Sequence, residues 1–176
     1  MKNKIILFYV PCDLKKTVPE VIVNKRSNIF TKDQNSIWIG TNDGLYQLSK
    51  NKKLVNWGDK NKNLQSSIKD LYYDFDSKTL FIATASKGML TINSNKISQF
   101  TIKDGLNSNI CNSVKKISST DYLVGTNNGL NLLSLKNNRF KLQNLNAILS
   151  LKNNRINDID YLNNVIYLAT QSGLLY

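Results

Sequence analysis

Residues 37–45 read Ile37-Trp38-Ile39-Gly40-Thr41-Asn42-Asp43-Gly44-Leu45, and the pattern returns three times. It returns as Leu80-Phe81-Ile82-Ala83-Thr84, with Ala85-Ser86-Lys87 before Gly88-Met89. It returns again as Tyr122-Leu123-Val124-Gly125-Thr126-Asn127-Asn128-Gly129-Leu130, and as Ile166-Tyr167-Leu168-Ala169-Thr170-Gln171-Ser172-Gly173-Leu174. The threonines stand 43, 42 and 44 residues apart. Three consecutive apolar residues, many β-branched or aromatic, read as a strand buried on both faces. Gly or Ala before the Thr suits a place where backbones crowd. Two polar residues and a Gly then form a hairpin turn, the Gly supplying the positive φ of a G1 bulge. The second unit carries one extra turn residue.

Further strands fill each period. Upstream of the hairpins come apolar segments at 68–75, 114–118 and 156–161; downstream come more polar ones at 54–57, 97–101 and 139–142. Four short strands per ~42–44 residues is the period of a propeller blade. The expected fold is all-β: blades of four antiparallel strands, about three and a half of them over 28–176, with hairpin anchors at Thr41, Thr84, Thr126 and Thr170. Residues 1–27 form a separate N-terminal segment. Its apolar stretches, 5–10 and 21–23, read as strands of a preceding blade. An alternative reading is a degenerate signal peptide, though no small-x-small cleavage site follows and Pro11 is a poor residue before a lipidated Cys12. With so few blades, the expectation is part of a longer array. A four-bladed ring closed by the N-terminal strand on the last blade is the alternative.

The 176 residues hold 24 Lys and Arg against 12 Asp and Glu, a net charge of +12. The cations are 21 Lys, scattered along the chain, and only Arg26, Arg139 and Arg155. Arg is the better bidentate partner for phosphate, so the charge reads as a solvated surface and no specific nucleic-acid partner is expected. There is no histidine, which excludes Ser-His-Asp and Cys-His relays and His-ligated zinc. Two cysteines, Cys12 and Cys111, are too few for a disulfide framework. No apolar run approaches the ~20 residues of a membrane-spanning helix.

The repeat resembles the two-component regulator propeller repeat, best at Trp38-Ile39-Gly40-Thr41-Asn42-Asp43-Gly44-Leu45. The family's inter-blade segment resembles Asp104-Gly105-Leu106-Asn107-Ser108-Asn109-Ile110. Ala in place of Gly before Thr84 and Thr170 departs from that pattern. The resemblance implies a periplasmic or extracellular sensor region of a hybrid two-component kinase, recognising an oligosaccharide, with no catalysis or cofactor of its own. Its partners would be the rest of a longer sensor, or further copies. A protein-interaction scaffold is the second reading, and a propeller lyase or hydrolase the third, which the missing histidine disfavours.

Candidate chemistry is sparse. Asp70, Asp74, Asp76, Asp158 and Asp160 read as turn formers and solvated strand ends, without the Gly-centred spacing of a calcium loop. Tyr72, Tyr73 and Trp57 read as packing aromatics, with sugar stacking as the alternative. Cys111 reads as a buried apolar residue. Propeller geometry places the hairpin turns and inter-blade connections on one face. The candidate ligand-binding residues are therefore Asn42, Asp43, Lys87, Asn127, Asn128, Gln171, Lys103 and Asp104.

Overall fold

A computed structural model describes residues 5–7, 20–137, 139–151 and 154–176, with residues 5–7 and 20–23 as backbone only. Cys12, and the signal-peptide and lipidation readings that turn on residues 8–19, lie outside the described residues. The strands are β1 (Ile5–Leu7), β2 (Glu20–Val23), β3 (Ser27–Lys32), β4 (Ser36–Thr41), β5 (Gly44–Ser49), β6 (Leu54–Asn56), β7 (Ile68–Asp74), β8 (Thr79–Thr84) and β9 (Met89–Asn93). They continue with β10 (Lys96–Phe100), β11 (Cys111–Lys116), β12 (Asp121–Thr126), β13 (Gly129–Lys136), β14 (Arg139–Asn144), β15 (Ile156–Leu162), β16 (Val165–Thr170) and β17 (Gly173–Leu175).

They form antiparallel blades: blade 1 is β3–β6, blade 2 β7–β10, blade 3 β11–β14, and blade 4 the three strands β15–β17. The partial propeller is as expected. β1 pairs with β2 and joins no blade sheet, so the N-terminal strand does not close a ring on the last blade.

The recurring threonine is explained by the turn it locks. Its Oγ1 donates to the carbonyl of the following Gly, at 2.9 Å for Thr41, 2.8 Å for Thr84, 2.9 Å for Thr126 and 2.8 Å for Thr170. The same oxygen accepts the N–H of Asp43, Lys87, Asn128 or Ser172. A buried hydroxyl is thereby used as both donor and acceptor. Gly44, Gly88, Gly129 and Gly173 all have positive φ, as the turn requires.

Blades stack through three apolar junctions. Leu45 and Trp38 of blade 1 pack with Ile68 and Leu71 of blade 2. Met89 and Phe81 of blade 2 pack with Cys111 and Val114 of blade 3, and Leu130 and Leu123 of blade 3 with Ile156 and Ile159 of blade 4. A leucine from each inter-blade connection, Leu64, Leu106 or Leu151, is buried in its junction. Each such leucine contributes about 1.5–3 kcal/mol by leaving water. First strands lie side by side, β3 by β7, β7 by β11 and β11 by β15, so they line the axis.

The structure bears out the packing reading of Trp57 over sugar stacking and corrects the reading of Asp74 as a solvated strand end. Trp57 is buried: its indole N–H donates to Gln47 at 3.0 Å, its ring lies 5.1 Å from Trp38, and the Lys60 ammonium sits 3.8 Å above it. It therefore has no open face for a sugar. Asp74 is no solvated strand end, because it is buried and charge-paired across a blade junction.

Candidate functional site

The first-to-second strand turns emerge at the end opposite the Thr-Gly hairpins. There the C-terminal ends of β7, β11 and β15 converge on an open groove of about 490 Å³. Blade 2 supplies Tyr72, Asp74, Phe75 and Asp76, blade 3 supplies Lys116, Ile117 and Ser118, and blade 4 supplies Tyr161. Three aromatic rings and three charged groups thus meet from three blades. Phe75 is half exposed and meets Tyr73 edge-on at 5.0 Å, which props its ring as a platform. Tyr161 donates its hydroxyl to Asn164 at 2.9 Å, which fixes the opposite wall.

The groove floor is an ion network. Lys116 Nζ donates to Asp74 Oδ1 and Asp76 Oδ2, both at 2.7 Å. The other Asp74 oxygen accepts from Tyr122 at 2.6 Å and from the Ser77 hydroxyl at 2.7 Å. Burial alone would raise the Asp74 pKa. Hydrogen bonds from Lys116, Tyr122 and Ser77, with the Lys116 charge, outweigh it and hold the carboxyl at about 2. Burial and donation to Asp74 push the Tyr122 phenol up to about 12. For Lys116 burial works against the charge, but its two carboxylate partners win and its pKa is raised. Asp74 and Lys116 are therefore a fixed ion pair at neutral pH, while Asp76 turns its carboxylate to solvent, its side chain 84% exposed.

Deeper along the first strands, Asp70 accepts the N–H groups of Leu71 and Val114, each at 2.8 Å. Burial, and secondarily the Asp158 charge, raise its pKa against the pull of those bonds. Ser113 donates to Asp158 at 3.0 Å. These contacts fasten blade 2 to blade 3 and blade 3 to blade 4. Burial pushes the Cys111 thiol up to about 12.

The residues singled out from the sequence lie at the hairpin end, close to the inter-blade connections. Gly88 N donates to Asn109 O at 2.8 Å, Asn146 Nδ2 to Asn128 O at 2.9 Å, and the Ser66 and Ser86 hydroxyls meet at 3.0 Å. Much of their polar capacity is engaged internally. Asn42 and Asn127 accept from Asn28 and Asn112, which also donate to Ile68 O and Ile156 O of the next blade. Asp43 pairs with Lys25 at 2.9 Å, and the Lys87 carbonyl accepts from Gln99. Asp104 closes a capping box with Thr101 around a 3-10 turn that includes Lys103. Gln171 N donates to Arg155 O, and Asn128 reaches Asn107 O at 3.4 Å. They are spread over successive blades along the rim, and none of them lines the groove at the opposite end.

No protein-family model matches the chain, and no curated protein matches it. Solved structures do. The extracellular domain of the hybrid two-component system BT3049 of B. thetaiotaomicron superposes with a TM-score of 0.69 at 20% identity, covering 92% of this chain and 23% of that one. The extracellular domain of the one-component system BT4673 gives 0.70 at 18%, covering 98% and 24%. The computationally designed protein Ika4 gives 0.61 at 10%, covering 86% and 91%. The likeness is one of fold. The chain spans about a quarter of the length of the two B. thetaiotaomicron domains.

Proposed function

We propose that this chain is a non-catalytic, ligand-sensing set of propeller blades outside the cytoplasm, part of a larger two-component sensor. Its groove takes a carbohydrate or similarly hydroxylated ligand. The observation that carries the reading is the convergence of Tyr72, Phe75 and Tyr161 with Asp76, Lys116 and Ser118 from three blades. Aromatic faces suit the apolar faces of a sugar ring, and the carboxylate, ammonium and hydroxyl suit its hydroxyls. A ligand there touches blades 2, 3 and 4 together, so binding would stiffen their junctions, a physical route from occupancy to signal. The fold likeness to extracellular domains of signalling systems supports the same location and role. Asp74 is held ionised and Cys111 is buried as a thiol, which supports a binding role over acid-base or nucleophilic chemistry.

Glycan-array screening followed by calorimetry tests this. Phe75→Ala and Asp76→Ala alter exposed groups and should each weaken the best glycan about tenfold, which is 1.4 kcal/mol. If no glycan binds, the ligand class is wrong. If binding ignores both changes and is lost in Asn127→Ala, the ligand sits on the hairpin rim around Asn42, Asp43, Lys87 and Gln171 instead.

A further inference from the structure

The groove has a charge at odds with the rest of the chain. Cations outnumber anions two to one overall, 24 against 12. The first strands of blades 2 to 4 and the turns after them, 68–78, 111–120 and 156–164, instead carry five Asp against four Lys. Among the residues that line the groove, Asp74 and Asp76 stand against Lys116 alone, so one negative charge is left over. Asp74 is buried in its pair with Lys116, which puts the surplus on Asp76 at the mouth. Lys115, next in sequence to Lys116, does not balance it, because its ammonium is held by Asp160 at 2.6 Å. One Asp76 oxygen takes a Lys116 proton at 2.7 Å; the other makes no hydrogen bond with the described residues, and neither does the Tyr72 hydroxyl. Burial, and secondarily the Asp74 charge, raise the Tyr72 pKa, so that phenol is neutral and free to accept.

We infer that the ligand's distinguishing group is a protonated amine: the groove takes a sugar bearing a free amino group, its ammonium seated between the Asp76 carboxylate and the rings of Tyr72 and Phe75. This rests on the reading of the groove as a carbohydrate site and adds the sign of the ligand's charge. A hydrogen bond between ammonium and carboxylate is roughly twice as strong as one between neutral groups. The negative faces of aromatic rings attract a cation as well. An acidic sugar meets the opposite conditions. Lys116, the one cation in the groove lining, already donates to two carboxylates, and Asp76 would face the incoming anion. The many lysines elsewhere on the surface repel a cationic ligand only weakly, since charges beyond about 8 Å are screened at physiological salt, whereas Asp76 acts in contact.

Calorimetric titration of the 176-residue chain tests this at about pH 6, where an amine beside a polar carbon is protonated. The probes are the linear trimers of glucosamine, N-acetylglucosamine and glucose, which differ at one ring substituent. The glucosamine trimer should bind at least about tenfold tighter than the other two. Asp76→Asn keeps the shape and polarity of an exposed side chain, and should abolish that preference without weakening the neutral trimers. A glucosamine trimer that binds no tighter than the glucose trimer overturns the inference and leaves the carbohydrate reading standing. A preference that survives Asp76→Asn overturns it too. Butylammonium carries the charge without the sugar: if it alone binds, and Asp76→Asn abolishes that binding, the amine site stands and the carbohydrate reading falls. Binding of none of the four probes overturns the inference.

Discussion

Tyr122 donates its hydroxyl to Asp74 at 2.6 Å, joining blades 2 and 3 across 48 residues of sequence. Lys116 reaches the same carboxylate from the neighbouring first strand. Tyr122 also places its ring 4.1 Å from Phe81, so one side chain serves both the apolar junction and the polar one. Removing the hydroxyl alone separates these roles. Tyr122→Phe should keep the packing and cost about 1–3 kcal/mol by leaving a buried carboxylate oxygen short of a donor. Lys116→Met should cost about 3 kcal/mol or more, because it strands the Asp74 charge. Urea denaturation of both variants measures this. A neutral Tyr122→Phe would show that the bond contributes nothing net.

The same carboxylate sets an acid limit on stability. Its folded pKa is about 2 against an ordinary 3.8, so its contribution is complete above the ordinary value. It is lost as pH falls from about 4 through about 2, because the unfolded chain takes up the proton first. Asp70 acts in the opposite sense, since its folded pKa is raised and protonation favours the folded state. Melting temperatures of the parent chain and Asp74→Asn, measured from about pH 6 to pH 2, should converge at the acid end. A constant gap across the range would mean that the Asp74 charge is not what stabilises.

The turn threonines allow an internal comparison. Thr126 is fully buried, and its hydroxyl holds Gly129 O and Asn128 N. Thr126→Val should cost about 1–3 kcal/mol by orphaning both. Thr170 makes the same bonds at 2.8 and 3.1 Å, but its turn lies in water. Thr170→Val should cost under about 1 kcal/mol, because solvent replaces the lost partner. Equal losses would argue against this account.

What was legible in the sequence is what is local. Thr41-Asn42-Asp43-Gly44 closes its own hydrogen bonds within four residues, so its chemistry announces a hairpin without reference to the rest of the fold. The groove has no such signature. Tyr72, Lys116 and Tyr161 are about one repeat apart, and each looks like an ordinary strand residue within its own unit. Only the side-by-side placement of β7, β11 and β15 makes them neighbours. Asp74 does form its turn, accepting the N–H groups of Asp76 and Ser77, but it is not solvated, because its partners Lys116 and Tyr122 belong to the next blade. One signal was present, since Asp74, Lys116 and Tyr161 fall near the same strand ends in successive repeats. An inward-facing carboxylate one period from a lysine is a pairing that blade stacking enforces.

The departure from Gly before Thr84 has a physical explanation that can be tested by exchange. A Cβ on Gly40 would lie 2.7 Å from Ile68 Cγ2, and one on Gly125 would lie 2.8 Å from Ile156 Cγ2. Where blade 2 carries Ala83 instead, the facing first strand of blade 3 carries Cys111 in place of isoleucine, and both are fully buried in one cluster. A methyl gained on one side of the junction is thus offset by the branched methyl lost on the other. Gly125→Ala alone should overpack the blade 3 to blade 4 junction and cost about 1–3 kcal/mol, because isoleucine is stiff at χ1 and cannot swing aside. Ile156→Cys alone should also destabilise, by leaving a void. Combined, they rebuild the pairing of Ala83 with Cys111, so the double variant should be more stable than the sum predicts by about 1 kcal/mol or more. Strict additivity in the double-mutant cycle would mean that the two positions pack independently, and the exchange of Gly for Ala would then need another cause.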